Sequence, residues 1–417
     1  MKRASKMFIT QQNENSEQYV TLKNNKCRHI KTLFKTLLAL IVFTTISCNA
    51  SNKKTAKKDI IVVNTITKKA LKSTVKVALL LDTSNSMDGL IDQAKAQLWE
   101  IINELSYAKC DGQHPDLKIA LYEYGNDGLE SSDGFIRQVL DFSDDLDEIS
   151  EKLFSLKTNG GSEYCGEVIQ TSLNDLQWGN NSKDLKLIFI AGNEPFTQGK
   201  LSYKDATTNA NEKDVTVNTI FCGDYENGIS GKWQHGAQLT GGDYMTIDHN
   251  KAIVHIKTPF DTVIIQLNNK LNKTYVRYGN QGYAKYKNQS VQDSNAMSLD
   301  EEVIVKRTVS KSSSAYKNTT WDLVDAEKEE SFSYSELDKK TLPAELQNKS
   351  TKEIEAYVKM KSEERKAIQK EIQEANKKRT AYITQKKNES KSDTETLDSA
   401  MIKAIKKQAE DKNYTWE

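Results

Sequence analysis

The chain has 417 residues, with 59 Lys and Arg against 58 Asp and Glu, a net charge of +1. That balance gives no reason to expect a nucleic acid or an anionic membrane surface as partner. The length allows two or three folding units.

Lys26, Arg28, Lys31 and Lys35 precede an apolar run, Leu37 to Ile46, that is too short to cross a bilayer as a permanent helix. A basic stretch followed by such a run is a targeting segment and stands outside the fold. It closes on Thr45-Ile46-Ser47-Cys48, which resembles a bacterial lipoprotein signal. The resemblance implies that Cys48 is lipidated, becomes the mature N-terminus and ties the protein to a membrane of the cell envelope, facing the periplasm or the cell surface. Thr45 departs from the aliphatic residue usual at that place, and the region before Lys31 is long; an ordinary cleaved signal peptide is the other reading of residues 1–48. Residues 49–73, rich in Lys, Thr and Asn with one apolar patch at Ile60 to Val63, read as a tether.

From residue 74 to 275 strands alternate with helices, the pattern of an α/β fold with a mostly parallel sheet flanked by helices. Val75 to Leu81 is aliphatic at nearly every position, as a strand buried on both faces must be. Leu90, Ile91, Ala94, Leu98, Ile101, Ile102 and Leu105 fit one helical face over Leu90 to Tyr107. Strands follow at Leu117 to Tyr124 and Phe135 to Phe142, and the short link holding Gly125, Asn126, Asp127 and Gly128 predicts an antiparallel hairpin at the sheet edge. Helices are expected at Asp144 to Leu156 and Glu163 to Leu176. Further strands fall at Leu185 to Ile190, Val215 to Cys222 and Tyr244 to Ile247, and a closing helix at Pro259 to Leu271.

Between the first strand and the first helix stands Asp82-Thr83-Ser84-Asn85-Ser86. A carboxylate and two hydroxyls at two-residue spacing are hard oxygen ligands that one tight turn can aim at a divalent cation. The same residues could simply cap the helix start. With the strand and helix order around it, this turn resembles the metal-ion-dependent adhesion site of von Willebrand factor type A domains. The resemblance implies a Rossmann-like fold over residues 74–275 and a bound cation, Mg²⁺ first, with Mn²⁺ or Ca²⁺ as alternatives. It assigns Asp82, Ser84 and Ser86 as ligands. Thr158-Asn159-Gly160-Gly161-Ser162 looks like the family's second loop, with Ser162 in place of a Thr. At the third position the family has Thr-Asp-Gly, whereas this chain reads Ala191-Gly192-Asn193-Glu194-Pro195. The expected carboxylate therefore falls on Gly192 or Asn193. Asn193 offers a carbonyl oxygen, and Glu194 could reach in with a longer arm; a polar turn before Pro195 would also account for both.

With Cys48 lipidated, Cys110, Cys165 and Cys222 remain. Cys110 precedes a strand, while Cys165 and Cys222 fall at the opposite sheet edge, about 20 Å away for a strand of about six residues, beyond disulfide reach. A Cys165–Cys222 bridge is thus the one pairing the topology allows; three buried thiols acting as small apolar residues is the alternative.

Beyond residue 275 the composition changes. Residues 276–349 read as an irregular region with aromatic anchors at Tyr316, Trp321, Phe332 and Tyr334 and a short helix at Trp321 to Ala326. Ser350-Thr351-Lys352-Glu353 is a capping box that opens a helix to about Lys387, the start of a helical tail over 350–417. Its apolar residues form a broken stripe without a strict heptad, which favours a hairpin with residues 394–412 or packing on the α/β domain over a long coiled coil. The stretch from Thr274 through this helix is similar to the tail of a group of bacterial exported proteins that carry the same domain.

Three function classes follow. A binding, adhesion or scaffold protein would use the cation to engage a protein partner, whose carboxylate could complete the metal shell. A structural interaction protein of the envelope would use the same loops without metal, and Gly192 favours it. An enzyme is the weakest reading: His29, His114, His235, His249 and His255 are scattered, no G-x-S-x-G or H-E-x-x-H motif occurs, and Gly160-Gly161 is too short for a phosphate loop. Asp243, Asp248 and His249 read better as a polar strand end than as a hydrolytic cluster.

Overall fold

Thr74–Asp82 forms β1, and its side chains divide between two cores, Val75, Val77, Leu79 and Leu81 on one face and Ala78 and Leu80 on the other. This is the period-two alternation of a strand, and burial on both sides explains why the segment is apolar throughout. The computed structural model describes residues 72–248, 255–390 and 397–416. The expected signal segment with Cys48, and the expected tether except Lys72 and Ser73, lie outside the described residues.

After β1 come α1 (Asp88–Ser106), β2 (Ala108–Cys110), β3 (Asp116–Tyr124), β4 (Ile136–Ser143), α2 (Leu146–Ser155), α3 (Cys165–Asp175) and β5 (Leu185–Gly192). They are followed by α4 (Tyr203–Glu212), β6 (Thr216–Cys222), α5 (Tyr225–Ser230), α6 (Trp233–Gln238), β7 (Tyr244–Ile247) and α7 (Asp261–Asn272). Six strands form one sheet in the order β4-β3-β1-β5-β6-β7. All neighbours are parallel except β4, which runs antiparallel to β3 at the edge, as the hairpin signal predicted. Helices α1, α2 and α7 cover one face through Trp99, Ile102, Ile149, Leu153 and Ile264. Helices α3, α4 and α6 cover the other through Val168, Ile169, Ala206, Ala210 and Trp233. Because β3 and β5 both flank β1, chain order reverses there, and the loops beyond the C-terminal strand ends open a crevice at that point.

The remaining chain carries α8 (Gly282–Leu299), α9 (Glu301–Lys311), α10 (Leu323–Ala326), α11 (Ala344–Gln347), α12 (Thr351–Ser390), α13 (Leu397–Glu410) and β8 (Tyr414–Trp416). The irregular reading of residues 276–349 is corrected here, since α8 and α9 are regular helices. Their apolar period is hidden because much of what they bury is polar. In α9 the side chains of Lys306, Arg307, Thr308, Ser310 and Lys311 are all buried. Arg307 donates to Asp147 and Asp293, and Lys311 to Asn268, Asn272 and Asp293. Charges enter an interior only when paired in this way, and a period count of apolar residues does not register them.

The capping box forms as expected: Ser350 N–H donates to Glu353 Oε2 at 2.8 Å, and Glu353 N–H to Ser350 Oγ at 3.3 Å. Of the two arrangements expected for the tail, packing on the α/β domain is the one realised. Ile368, Ile372 and Ala375 of α12 and Met401, Ile405 and Ala409 of α13 extend the core beneath α1, α2 and α7. Arg365 fixes α12 further by donating to Asp322 Oδ2 at 2.6 Å and to the Thr274 carbonyl at 2.9 Å. The chain then ends in β8, paired antiparallel with β2. The described residues thus cluster as one unit. Among the described residues no helix is long and apolar enough to cross a membrane.

The Cys165–Cys222 bridge is not formed, and Cys110, Cys165 and Cys222 are buried free thiols. Sheet pleat is the reason. Cys165 joins the core under α3 and α4, whereas Cys222, one residue out of phase with Phe221, points into the core on the other face. The alternative reading, small apolar residues, describes all three.

Candidate metal centre

Four loops meet above the C-terminal end of β1: residues 83–87, 125–128, 157–164 and 193–198. Backbone bonds tie the first three together. Thr83 N–H donates to the Tyr124 carbonyl, and Asn159 N–H to the Thr83 carbonyl, each at 2.9 Å. Asn126 Nδ2 donates to the Lys157 carbonyl at 3.0 Å. Gly161 of the third loop is explained by closeness of approach: a Cβ there would stand 2.1 Å from the Gly125 carbonyl oxygen. Only a residue without a side chain allows the two backbones to touch there.

Asp82 is fully buried. Its Oδ1 accepts from Ser84 N–H at 2.7 Å, which folds the turn back on itself, while Oδ2 finds no donor. Ser84 Oγ lies 3.4 Å from Ser86 Oγ, and Asn193 Nδ2 donates to Ser86 Oγ at 3.0 Å. Asn193 Oδ1 is likewise buried without a donor. Leaving such an atom unpaired costs about 1–3 kcal/mol, and here two occur in one ring of oxygen-bearing side chains.

Sequence reasoning placed Glu163 in the following helix, but the structure places its side chain in this ring. It is buried, its Cγ and Asp82 Oδ1 both border the space that a Cβ on Gly125 would fill, and its Oε2 accepts from Glu194 N–H at 3.3 Å. Burial first, then the negative charge of Glu163, pushes the Asp82 carboxyl up to about 9; burial and the charge of Glu194 also raise Glu163. Two buried carboxylates with no cation between them resist a second ionisation. The only sequence signal for Glu163 was its position directly after Ser162.

The other expected residues are placed unequally. Ser162 lies half-buried in the glycine loop. The Glu194 side chain is exposed, and its hydrogen bonds to the site run through its backbone, the N–H to Glu163 and the carbonyl from Trp233 Nε1 at 2.8 Å. Gly192 is closed to any side chain, since a Cβ would stand 2.5 Å from the Tyr124 hydroxyl, 3.2 Å from the Trp233 ring and 3.3 Å from Asp82 Cβ. The strand-end position thus belongs to Asn193 alone. Among the described residues no three His, Cys, Asp or Glu side chains converge on one point; the donor set is two carboxylates, hydroxyls and an amide oxygen. Such hard oxygens with unsatisfied lone pairs fit Mg²⁺, Mn²⁺ or Ca²⁺.

Residues 76–228 match the family model of the von Willebrand factor type A domain. Among solved structures, similarity is found to the conserved hypothetical protein BatB from Bacteroides thetaiotaomicron, 17% identical over 42% of this chain and 90% of that one, with a TM-score of 0.32. The SpRpn10 VWA domain is 12% identical over 43% of this chain and 99% of its own, at a TM-score of 0.31. The pilus adhesin SpaC from Lactobacillus rhamnosus GG, in an open conformation, is 13% identical over 43% and 28% respectively, at a TM-score of 0.32. No curated protein sequence matches the chain.

Proposed function

We propose, from the premise that residues 76–228 form a von Willebrand factor type A domain, that the chain is a cell-envelope binding protein that engages a protein partner through a divalent cation. A module of this kind suits an interaction or adhesion role, and the reading adds a cation held by Asp82, Ser84, Ser86, Ser162 and Asn193. The observation that carries it is the pair of buried, donorless oxygens, Asp82 Oδ2 and Asn193 Oδ1, in the crevice at the strand-order reversal. A cation satisfies both at once. An oxygen of the partner, a carboxylate in the mode the family resemblance implies, completes the shell, and Cys48 carries the lipid that holds the protein to the membrane.

The contact between Asp82 and Glu163 favours a second reading, in which a shared proton replaces the metal and the loops serve as a plain surface. Titration calorimetry with Mg²⁺ and Mn²⁺ separates them. The cation reading expects binding below millimolar concentration that Asp82→Ala abolishes, and capture of a partner from envelope extracts that a chelator releases. Wild-type protein that takes up neither ion at millimolar concentration sinks it. For the anchor, Cys48→Ser is expected to move the protein from the membrane to the soluble fraction; unchanged fractionation rejects lipidation.

A further inference from the structure

We propose that Glu163 is an anionic ligand of the divalent cation, the second carboxylate of a site whose strand end supplies none. The inference rests on the cation reading above and names a residue that neither the family pattern nor the sequence spacing assigns. Three observations carry it. Glu163 is 3% exposed, and among the described residues no Lys, Arg or His pairs with it. Its side chain bends back over Gly125 beside Asp82: a Cβ built on Gly125 would stand 2.7 Å from Glu163 Cγ and 2.8 Å from Asp82 Oδ1. Finally, the carboxylate accepts from the N–H of Glu194, next to Asn193, beside a cluster in which hydrogen bonds join Ser84, Ser86 and Asn193 and in which Asp82 Oδ2 and Asn193 Oδ1 are buried without a donor.

Two buried carboxylates with no basic side chain between them are stable together only if a positive charge is shared between them. Charge balance then follows. The strand end offers Gly192, which cannot carry a side chain, and Asn193, which is neutral. Asp82 and Glu163 together match a divalent ion, so its retention does not depend on a carboxylate from the partner. Burial of both groups excludes water from the charged centre, where electrostatic attraction is strongest.

Calorimetric titration of the intact chain with MnCl₂ tests the assignment. Glu163→Gln keeps the shape and removes the charge, and is expected to weaken Mn²⁺ binding at least tenfold. Adding Asn193→Asp to that variant is expected to recover most of the loss, because a carboxylate returns at the strand end. Glu163→Asp, which keeps the charge, stays within about fivefold of wild type. Binding by Glu163→Gln within twofold of wild type overturns the proposal and leaves the cation reading standing. Equal losses in Glu163→Gln and Glu163→Asp also overturn it, since side-chain length and not charge would then matter. Absence of binding by the wild-type chain overturns both readings together. Thermal unfolding without Mn²⁺ serves as the folding control, in which Glu163→Gln, relieved of a like-charge contact, is expected to be no less stable than wild type.

Discussion

Arg307 Nη2 donates to Asp147 Oδ1 across 2.7 Å, joining two buried side chains 160 residues apart, one on α9 and one on α2. Tyr316 also donates to Asp147, at 2.6 Å. The α/β domain and the helical region are therefore tied by a charge pair that neither could bury alone. Asp147→Ala leaves Arg307 with Asp293 as its remaining carboxylate and is expected to cost about 3–5 kcal/mol in urea unfolding. Asp147→Asn, which still accepts hydrogen bonds, costs less. A loss under about 1 kcal/mol for Asp147→Ala would show the pair to be incidental.

The same interdependence governs truncation. A chain ending at residue 275, where the sequence suggests a domain boundary, uncovers Ile264, Leu267 and Leu271, which α9 and α12 share in one core. We expect that fragment to aggregate or to bind a hydrophobic dye, in contrast with the full chain. A monomeric fragment with a sharp thermal transition would show the boundary to be real.

Gly192 and Asn193 behave differently although either could hold the missing carboxylate by sequence. Gly192→Asp forces a Cβ within 2.5 Å of the Tyr124 hydroxyl and is expected to destabilise the fold by about 1–3 kcal/mol without improving cation affinity. Asn193→Asp turns an amide already in the ring into a third anion beside Asp82 and Glu163 and is expected to tighten Mn²⁺ binding severalfold. Calorimetry and thermal unfolding of the two variants check the pair; a better-binding Gly192→Asp would contradict the packing described for the strand end.

Acid should loosen the seat of the long helix. Burial alone would raise the Glu302 carboxyl, but His255, Lys306 and Arg379 outweigh it and hold the group down to about 2; the same opposition, with Lys311 and Arg307 as partners, lowers Asp293. A depressed carboxyl stabilises the fold above its unfolded value and loses that contribution as pH falls through the folded one. Stability is therefore expected to be constant with respect to Glu302 above about pH 5 and to drop between about pH 4.5 and pH 2, by on the order of 3 kcal/mol. Glu302→Gln should flatten that part of the urea-denaturation profile. An unchanged acid limb in the variant would remove Glu302 from the account.

Burial of all three thiols gives a fifth expectation for the chain's chemistry. Cys110, Cys165 and Cys222 lie in packed cores, and burial pushes the Cys165 and Cys222 thiols well above their ordinary range. Thiolate is the reactive form, so native protein should resist alkylation at these positions and react at all of them in denaturant. Mass spectrometry of an unreduced digest showing a Cys165–Cys222 linkage would mean that the two residues share a face of the sheet.

The sheet, its antiparallel edge strand and the Asp82 turn were legible in the sequence because each obeys a local rule. Continuous aliphatic runs mark strands buried on both faces, a glycine-rich link marks a hairpin, and the oxygen-bearing side chains of one turn are sequence neighbours. The capping box at Ser350 was legible for the same reason. Where a side chain's role depends on what meets it from elsewhere, sequence reading stopped. The helices α8 and α9 bury Gln289, Gln292, Arg307 and Lys311, polar residues that become core only through partners far away along the chain. The Cys165–Cys222 pairing failed because edge position was considered without strand phase, and phase puts the two thiols on opposite faces. Glu163 entered the candidate site because the glycine loop folds against Gly125, and Gly192 left it because Tyr124, Trp233 and Asp82 fill the space its side chain would need. Composition and periodicity determined which segments fold and how; only tertiary packing decided which oxygens are buried without a donor, since that depends on distances between residues no local pattern connects.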